Sequence, residues 1–271
     1  MPELPEIVHR AREMHAALTG RTVIAVDVVQ PKCLNVPVEA FARGVVGETI
    51  RGARHSGKWI IVAMDDHTLL LNLGMGGEVL LHPAGEPLPE KVQAVLDLDD
   101  GSRLSFHFWW FGYIHLMPSD RLAEHKMTAE LGVDPLSPSF TVEALAALLN
   151  GRRTRVKSLI LDQRVIAGIG NMYAHDVLFR ARLHPDRPVN SLSNAEVESL
   201  WRGIRDTLRT AVDLGGSDHE QGLHGNVGRF GMEHLLVGYK EGQPCPACGA
   251  AVVKIRTGST QGFICPRCQA L

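Results

Sequence analysis

Ile7, Ala11, Met14 and Leu18 recur at helical spacing and share one face, and Gly20 ends the run, so the chain opens with a short amphipathic helix. From Thr22 to about Leu116 the period shortens. Apolar and β-branched runs cover Thr22 to Val29, Trp59 to Met64, Thr68 to Leu73, Glu78 to Leu81, Val92 to Leu98 and Arg103 to Phe108. Gly and Asp punctuate them, and Asp99-Asp100-Gly101 is a strong hairpin turn between the last two. Many short strands joined in this way predict a β-sandwich. The turn-rich stretch Gly132-Val133-Asp134-Pro135-Leu136-Ser137-Pro138 reads as a linker. Beyond it the pattern is helical: Val142 to Leu149 stops at Asn150-Gly151, a second helix begins over Lys157 to Leu161, and Ser193 with Glu196 forms a capping box for a helix running towards Gly215. Residues 215–231, rich in Gly, His and polar side chains, read as a mobile loop. The expectation is an α+β chain with a helix-plus-sandwich domain over 1–130, a linker over 131–140, a helical domain over 141–236 and a small C-terminal domain over 237–271.

Composition narrows the setting. With 271 residues, 45% of them hydrophobic, the chain can bury two modest cores. No apolar run approaches membrane-spanning length; Leu69-Leu70-Leu71-Asn72-Leu73-Gly74, for one, is broken almost at once. The N-terminus is acidic and lacks the basic and apolar regions of a signal peptide, so a cytoplasmic protein is expected. A formal net charge of −2 argues mildly against a nonspecific nucleic-acid binder, leaving only local concentrations of positive charge for such a role. Arg152, Arg153, Arg155, Lys157 and Arg164 form one such concentration; taken alone its default reading is a solvated charged helix face.

Cysteine spacing carries more chemistry. Cys245-Pro246-Ala247-Cys248 and Cys265-Pro266-Arg267-Cys268 are two Cys-x-x-Cys pairs, the spacing of a zinc ribbon in which four thiolates close a tetrahedral site. Two disulfides would need an oxidising compartment, which nothing in the sequence suggests. Four thiolate ligands leave no open position, so the expected Zn2+ is single and structural. Cys33 is unpaired and reads as a small buried side chain.

The other end, Met1-Pro2-Glu3-Leu4-Pro5-Glu6, admits two readings. It is either a frayed acidic terminus or, once the initiator Met is removed from the small Pro2, a secondary amine with a carboxylate beside it. An α-amino group titrates near ~8, so a sizeable neutral, nucleophilic fraction exists at cellular pH. Glu3 is placed to shuttle protons at the reacting carbon. Further along, Arg164-Val165-Ile166-Ala167-Gly168-Ile169-Gly170-Asn171-Met172-Tyr173-Ala174 is a Gly-punctuated turn leading into a helix, suited to phosphate or to close helix packing.

Taken in order, several segments resemble the formamidopyrimidine-DNA glycosylase / endonuclease VIII family. They are the Pro-Glu-Leu-Pro-Glu start, Asn72-Leu73-Gly74-Met75-Gly76-Gly77, Leu131-Gly132 to Asp134-Pro135-Leu136, Lys157 to Leu161-Asp162-Gln163, Gly168 to Ala174, and the cysteine ribbon ending Cys268-Gln269. The resemblance spans nearly the whole chain. It implies a bifunctional base-excision-repair glycosylase and abasic-site lyase with an N-terminal β-sandwich, a helix-two-turn-helix domain and a zinc-ribbon hairpin. It implies that Pro2 attacks C1′ of the damaged nucleotide to form a Schiff base, that Glu3 protonates the sugar ring oxygen and assists elimination, and that Glu6 supports the site. Lys58 would contact phosphates near the lesion, as would Lys157 and Asn171. Met75 would fill the hole left by the flipped-out base, and Phe111 belongs to a minor-groove wedge. Taken alone, Lys58 would read as a solvated turn lysine and Met75 as core filling. The implied partner is double-stranded DNA carrying damaged bases or abasic sites, met by a monomer in the bacterial cytoplasm at the nucleoid.

Two departures bear on specificity. The family's wedge carries Arg-x-Phe-Gly, whereas this chain has Trp109-Trp110-Phe111-Gly112, so Trp109 stands where an Arg pairs with the orphaned base. An indole offers one donor and a large stacking face, not a fork of donors. In the ribbon, Thr260 stands where the family carries an Arg that promotes the second elimination, with Lys254 and Arg256 as nearby substitutes. Alternative functions are a divergent glycosylase for alkylated or bulky lesions or crosslinks, and a non-catalytic damaged-DNA-binding protein.

Overall fold

The computed structural model describes residues 1–271. The chain divides into two compact units, one of Met1–Glu130 with Gly215–Arg229 and the other of Leu131–Leu214 with Phe230–Leu271. The first unit begins with helix α1 (Leu4–Leu18), and Ile7, Ala11, Met14 and Leu18 all lie on its buried face. Gly20, at φ +89, turns the chain out of that helix. There follow β1 (Val23–Val28), α2 (Val38–Val45), β2 (Gly52–Ser56), β3 (Trp59–Ala63), β4 (His67–Asn72), β5 (Glu78–His82), β6 (Ala94–Leu98), β7 (Arg103–His107) and β8 (Tyr113–Pro118).

These strands form two antiparallel four-stranded sheets, ordered β1-β6-β7-β5 and β2-β3-β4-β8. Leu96, Leu98, Leu104 and Phe106 from one sheet and Ile60, Val62, Leu69, Leu71 and Ile114 from the other share one buried cluster with Met14, Leu18 and Phe41. Alternation along each strand selects the inward set, as in Ile60 and Val62 on β3. Each such side chain contributes roughly 1.5–3 kcal/mol by leaving water. Truncating one of them, as in Phe106→Ala, is expected to cost about 3–5 kcal/mol. Helix α1 packs against β2 and β3, and Gly52 lets His15 approach, since a Cβ there would lie 2.9 Å from its Nδ1.

The second unit is helical, with α3 (Val142–Leu149), α4 (Val156–Leu161), α5 (Asn171–Arg180) and α6 (Asn194–Asp213), and it ends in the hairpin β9 (Val253–Thr257) and β10 (Thr260–Ile264). The capping box at α6 forms as its sequence requires: Glu196 N donates to Ser193 Oγ at 3.3 Å and Ser193 N to Glu196 Oε2 at 2.8 Å. Helices α5 and α6 meet closely at Gly203, where a Cβ would lie 2.7 Å from the Val177 carbonyl oxygen. Asp176 on α5 is buried, and its carboxylate accepts the N–H groups of Leu236, Val237 and Gly238 at 2.7, 3.0 and 3.0 Å. Burial pushes its pKa up while those three bonds oppose the rise. The bonds fix the approach to the hairpin. No helix is long and apolar enough to cross a membrane.

Candidate functional site

The N-terminal segment is held by the first turn of α1. Glu3 is the N-cap, Pro5 occupies the first turn where its missing N–H costs nothing, and Glu6 Oε2 accepts Glu3 N at 2.7 Å. Pro2, Glu3 and Glu6 are all buried, whereas Met1 is exposed. The other oxygen of Glu6 accepts Ser217 N at 3.0 Å, so one carboxylate joins the backbone beside Pro2 to a loop more than two hundred residues away. Glu220 Oε1 on that loop lies 3.5 Å from the N-terminal nitrogen of Met1. Arg10, one turn further along α1, is 1% exposed. Its Nε and Nη1 make no hydrogen bond, and desolvation pulls its pKa down against the opposing charges of Glu220, Glu13, Glu6 and Glu78. Glu220 therefore lies at the terminal nitrogen, while Glu6 ties the first turn of α1 to the same loop.

Lys58 is half-buried in the β2–β3 turn, where Gly57 takes φ +55. Asn72 at the end of β4 ties this turn to the next: its Nδ2 donates to Lys58 O at 3.2 Å and its Oδ1 accepts Gly74 N at 3.1 Å. Met75 N donates to Trp110 O at 2.9 Å, which brings the loop of Met75 against the loop of Trp109, Trp110 and Phe111. Gly74 is required at this junction, because at φ +56 a Cβ would lie 2.1 Å from Trp110 O. Phe111 itself takes φ 59, a conformation that costs a non-glycine residue. Trp109, Trp110 and Phe111 are 70%, 59% and 66% exposed and Met75 is 48% exposed. His107 meets Trp109 edge-on at 5.4 Å, and the Trp110 and Phe111 rings lie 5.8 Å apart. The loop of Met75 and the loop of Trp109 and Phe111 are thus brought together. Trp110, which like Trp109 suits stacking, joins them. Met75 is not core filling.

Beneath these loops lie Trp59, Tyr113, His115 and His125. His115 Nδ1 and His125 Nε2 are 2.8 Å apart, and Trp59 stacks on Tyr113 at 6.1 Å. Burial first, then the neighbouring His125, pushes His115 down to about 4.

In the helical unit the positive cluster is not one uniform face. Arg152, Arg153, Arg155 and Arg164 are exposed, but Lys157 is 2% exposed and its Nζ donates to Gln261 O on β10 at 2.5 Å. Its place on the inner side of α4 cannot be seen in a run of charged residues. Burial lowers it to about 8, opposed by the charge of Asp186. Asn171 opens α5; its Nδ2 lies 3.3 Å from His175 Nε2, and its Oδ1 is buried with no partner. Gln163 holds the preceding turn, accepting Gly168 N and donating to Ile169 O, each at 2.8 Å. Tyr239, which the sequence did not single out, packs on His175 and Phe263 close to this group.

Sγ atoms of Cys245, Cys248, Cys265 and Cys268 all lie within 4.8 Å of one another. The separations of 3.9 Å for Cys245–Cys268 and 3.4 Å for Cys248–Cys265 bracket the ~3.8 Å edge of a tetrahedron with Zn–S near 2.3 Å. Ala247 N and Cys268 N each donate to a cysteine sulfur at 3.4 Å, as thiolates in such knuckles require. The donor set fits one structural Zn2+. Buried Gln269 braces the second knuckle by accepting Cys265 N at 3.0 Å and donating to Leu183 O at 3.0 Å. Thr260 starts β10 with Lys254 and Arg256 exposed beside it on β9.

Comparison with known proteins agrees with this arrangement. Residues 1–108 match the formamidopyrimidine-DNA glycosylase N-terminal domain, residues 131–221 the H2TH domain of the same glycosylases, and residues 242–271 a zinc finger found in FPG and IleRS. A formamidopyrimidine-DNA glycosylase of a Roseiflexus species is 39% identical over 99% of this chain and 100% of its own length. That of Bacillus subtilis is 33% identical, covering 99% of each. Among solved structures, a point mutant of the Lactococcus lactis glycosylase in complex with Fapy-dG-containing DNA superposes with a TM-score of 0.93 at 27% identity, covering 100% of both chains. The Lactococcus lactis enzyme bound to abasic-site DNA gives 0.92 at 27% identity, covering 99% of this chain and 100% of that one.

Proposed function

The chain belongs to the formamidopyrimidine-DNA glycosylase family, and on that premise we propose that the amine of Pro2 is the nucleophile of its glycosylase and lyase reactions. The observation that carries this is the Glu6 carboxylate, which fixes Glu3 N and Ser217 N and so builds an ordered acidic site around the terminus. A frayed terminus would need no such partners.

Removal of Met1 frees the secondary amine. Its lone pair attacks C1′ of the damaged nucleotide, the N-glycosidic bond breaks with its electron pair leaving on the base, and a C1′–N bond forms. Glu3 donates a proton to O4′ as the ring opens to the iminium. Loss of a C2′ proton then expels the 3′ phosphate, and water hydrolyses the iminium to return the amine. Lys58 would hold phosphate beside the lesion, and Lys157 with Asn171 would hold it from the helical unit. Met75, Trp109 and Phe111 would enter the stack from the minor groove, with Trp110 widening the stacking face. The ribbon's zinc supplies folding energy and takes no part in bond making. The substrate is damaged duplex DNA, which would place the protein at the bacterial nucleoid.

The test is incubation with a duplex carrying one formamidopyrimidine lesion. Release of the free base together with strand scission is expected. Tight binding without either product would favour a damaged-DNA-binding protein.

A further inference from the structure

Helix α1 buries a charge that the chemistry above leaves unused. Arg10 is 1% exposed, and its Nε and Nη1 lie within the protein without a hydrogen-bond partner. Filling space does not call for such a group. A guanidinium keeps its charge at cellular pH, its desolvation is costly, and an apolar side chain of similar volume would fill the same room at lower cost. Its neighbours set it apart. Glu6 lies four residues before it and Glu13 three after, which puts all three on one face of α1. The charged groups facing the guanidinium are Glu220, then Glu13, Glu6 and Glu78 of β5. Glu220 belongs to the segment Gly215–Arg229, which folds with the sandwich unit. Of the strands packed on α1, β2 carries Arg54, exposed, and His55, half-buried, and β3 carries no charged residue. Three of the facing carboxylates are engaged elsewhere. Glu6 accepts Glu3 N and Ser217 N, Glu13 accepts Leu223 N at 2.7 Å and Asn226 Nδ2 at 3.2 Å, and Glu220 Oε1 lies 3.5 Å from the terminal nitrogen. Arg10 therefore meets them as a charge and not as their donor.

An amine set among carboxylates is held protonated, and a protonated amine has no lone pair with which to attack. Glu220 stands at the terminal nitrogen, and Glu3, next to Pro2, is tied to Glu6. Side chains on a helix lean towards its N-terminus, so the guanidinium of Arg10 reaches back along α1 towards this end. We propose that Arg10 is a positioning residue for the nucleophile: its buried positive charge offsets Glu6 and Glu220, so that the Pro2 amine loses its proton at a pH where those carboxylates alone would hold it. The proposal rests on the Pro2 reading above. Arg10 itself makes and breaks no bond and acts only through the charge state of the amine.

The experiment uses full-length protein with Met1 removed, checked by intact mass. Single-turnover base release from a formamidopyrimidine duplex is followed across pH at saturating protein. In Arg10→Met the acid limb of the profile is expected to move up by about one pH unit, the low end of what one neighbouring charge does. On a limb of slope one that is about tenfold slower release at a fixed acid pH, with the plateau rate within about threefold of wild type. Arg10→Lys keeps the charge and should return the limb most of the way. Arg10→Gln, polar and uncharged, should move it as Arg10→Met does. An unmoved limb in a folded neutral variant would overturn the proposal, and so would a rate lowered equally at every pH, the mark of a residue that only shapes the fold. A chain that folds with neither neutral residue would make Arg10 part of the fold alone and overturn it too. Wild-type protein that releases no base at any pH would instead sink the Pro2 reading itself.

Discussion

Replacing Lys157 by Met should make the free protein more stable and its grip on DNA weaker. The ammonium is buried with one carbonyl partner, Gln261 O, and its pKa falls from 10.5 to about 8. A drop of that size corresponds to roughly 3 kcal/mol of unfavourable charge burial. The hydrogen bond to Gln261 O offsets part of it, leaving an expected cost of about 1–2 kcal/mol. The folded state releases its proton near 8 and the unfolded state only near 10.5. Between those values the unfolded chain binds more protons, so stability rises with pH across that window, and the full cost is present below it. Lys157→Met removes the charge, and the exposed Gln261 can return its carbonyl to water. Thermal melts at pH 7 should shift upward by about 2–6 °C, and the rise in wild-type stability between pH 8 and 10.5 should flatten. On DNA the effect reverses. On the proposed reading a phosphate would supply the missing counter-charge, so the variant should bind less tightly, and the slope of log affinity against log salt should fall by roughly one unit. Wild-type affinity should itself decline as pH rises past about 8. A destabilised Lys157→Met protein with unchanged affinity and salt slope would refute the reasoning and make Lys157 a packing residue.

Cys265→Ser opens the four-sulfur site, so metal analysis should fall from about one zinc per chain to well below it, with loss of DNA affinity; full zinc content would contradict the assignment. As the proposed wedge, Trp109, Trp110 and Phe111 would stack on any base at ~1–3 kcal/mol each and offer no fork of donors, so excision should depend weakly on the base opposite the lesion and be poor on 8-oxoguanine paired with cytosine. Assaying one lesion opposite each of the four bases checks this, and a strong cytosine preference would show that another residue replaces the missing Arg. His115 is held down at about 4 by burial, so the unfolded chain takes up a proton that the folded chain refuses. Stability of the sandwich unit should therefore fall as pH drops from 6.5 towards 4, and His115→Phe should reduce that slope in thermal melts; an identical slope would remove His115 from the account.

How much of this could be read from the chain depended on the range of the interactions. The cysteine pairs and the Ser193–Glu196 capping box are set by neighbours within a few residues, and the structure forms both as their spacing requires. The strands from β3 to β7 were legible because apolar runs bounded by turns mark them. Strand β2, Gly-Ala-Arg-His-Ser, has no such run and exists because it pairs along β3 at the sheet edge. Helix α2 was hidden by its eight-residue length. Loop 215–231 was read as mobile from its composition, because the groups that hold it, Glu6 and Glu13, lie 211 and 210 residues from the N–H groups they accept. Lys157 was grouped with its arginine neighbours for the same reason: its carbonyl partner is 104 residues away. Trp110 took its place beside Met75 only through a backbone bridge between two turns.

The central claim is that the terminal amine of Pro2 makes a covalent bond to the sugar. Borohydride added during reaction with an abasic-site duplex reduces an iminium to a stable amine, so the measurement is the yield of cross-linked protein–DNA, with the protein's N-terminus read by intact mass. Protein lacking Met1 should give an adduct of one chain per strand. Pro2→Gly should give less, and protein that retains Met1, whose Pro2 nitrogen is an amide, should give none. No adduct from Met1-free protein, or an equal yield when Met1 is retained, would contradict the account.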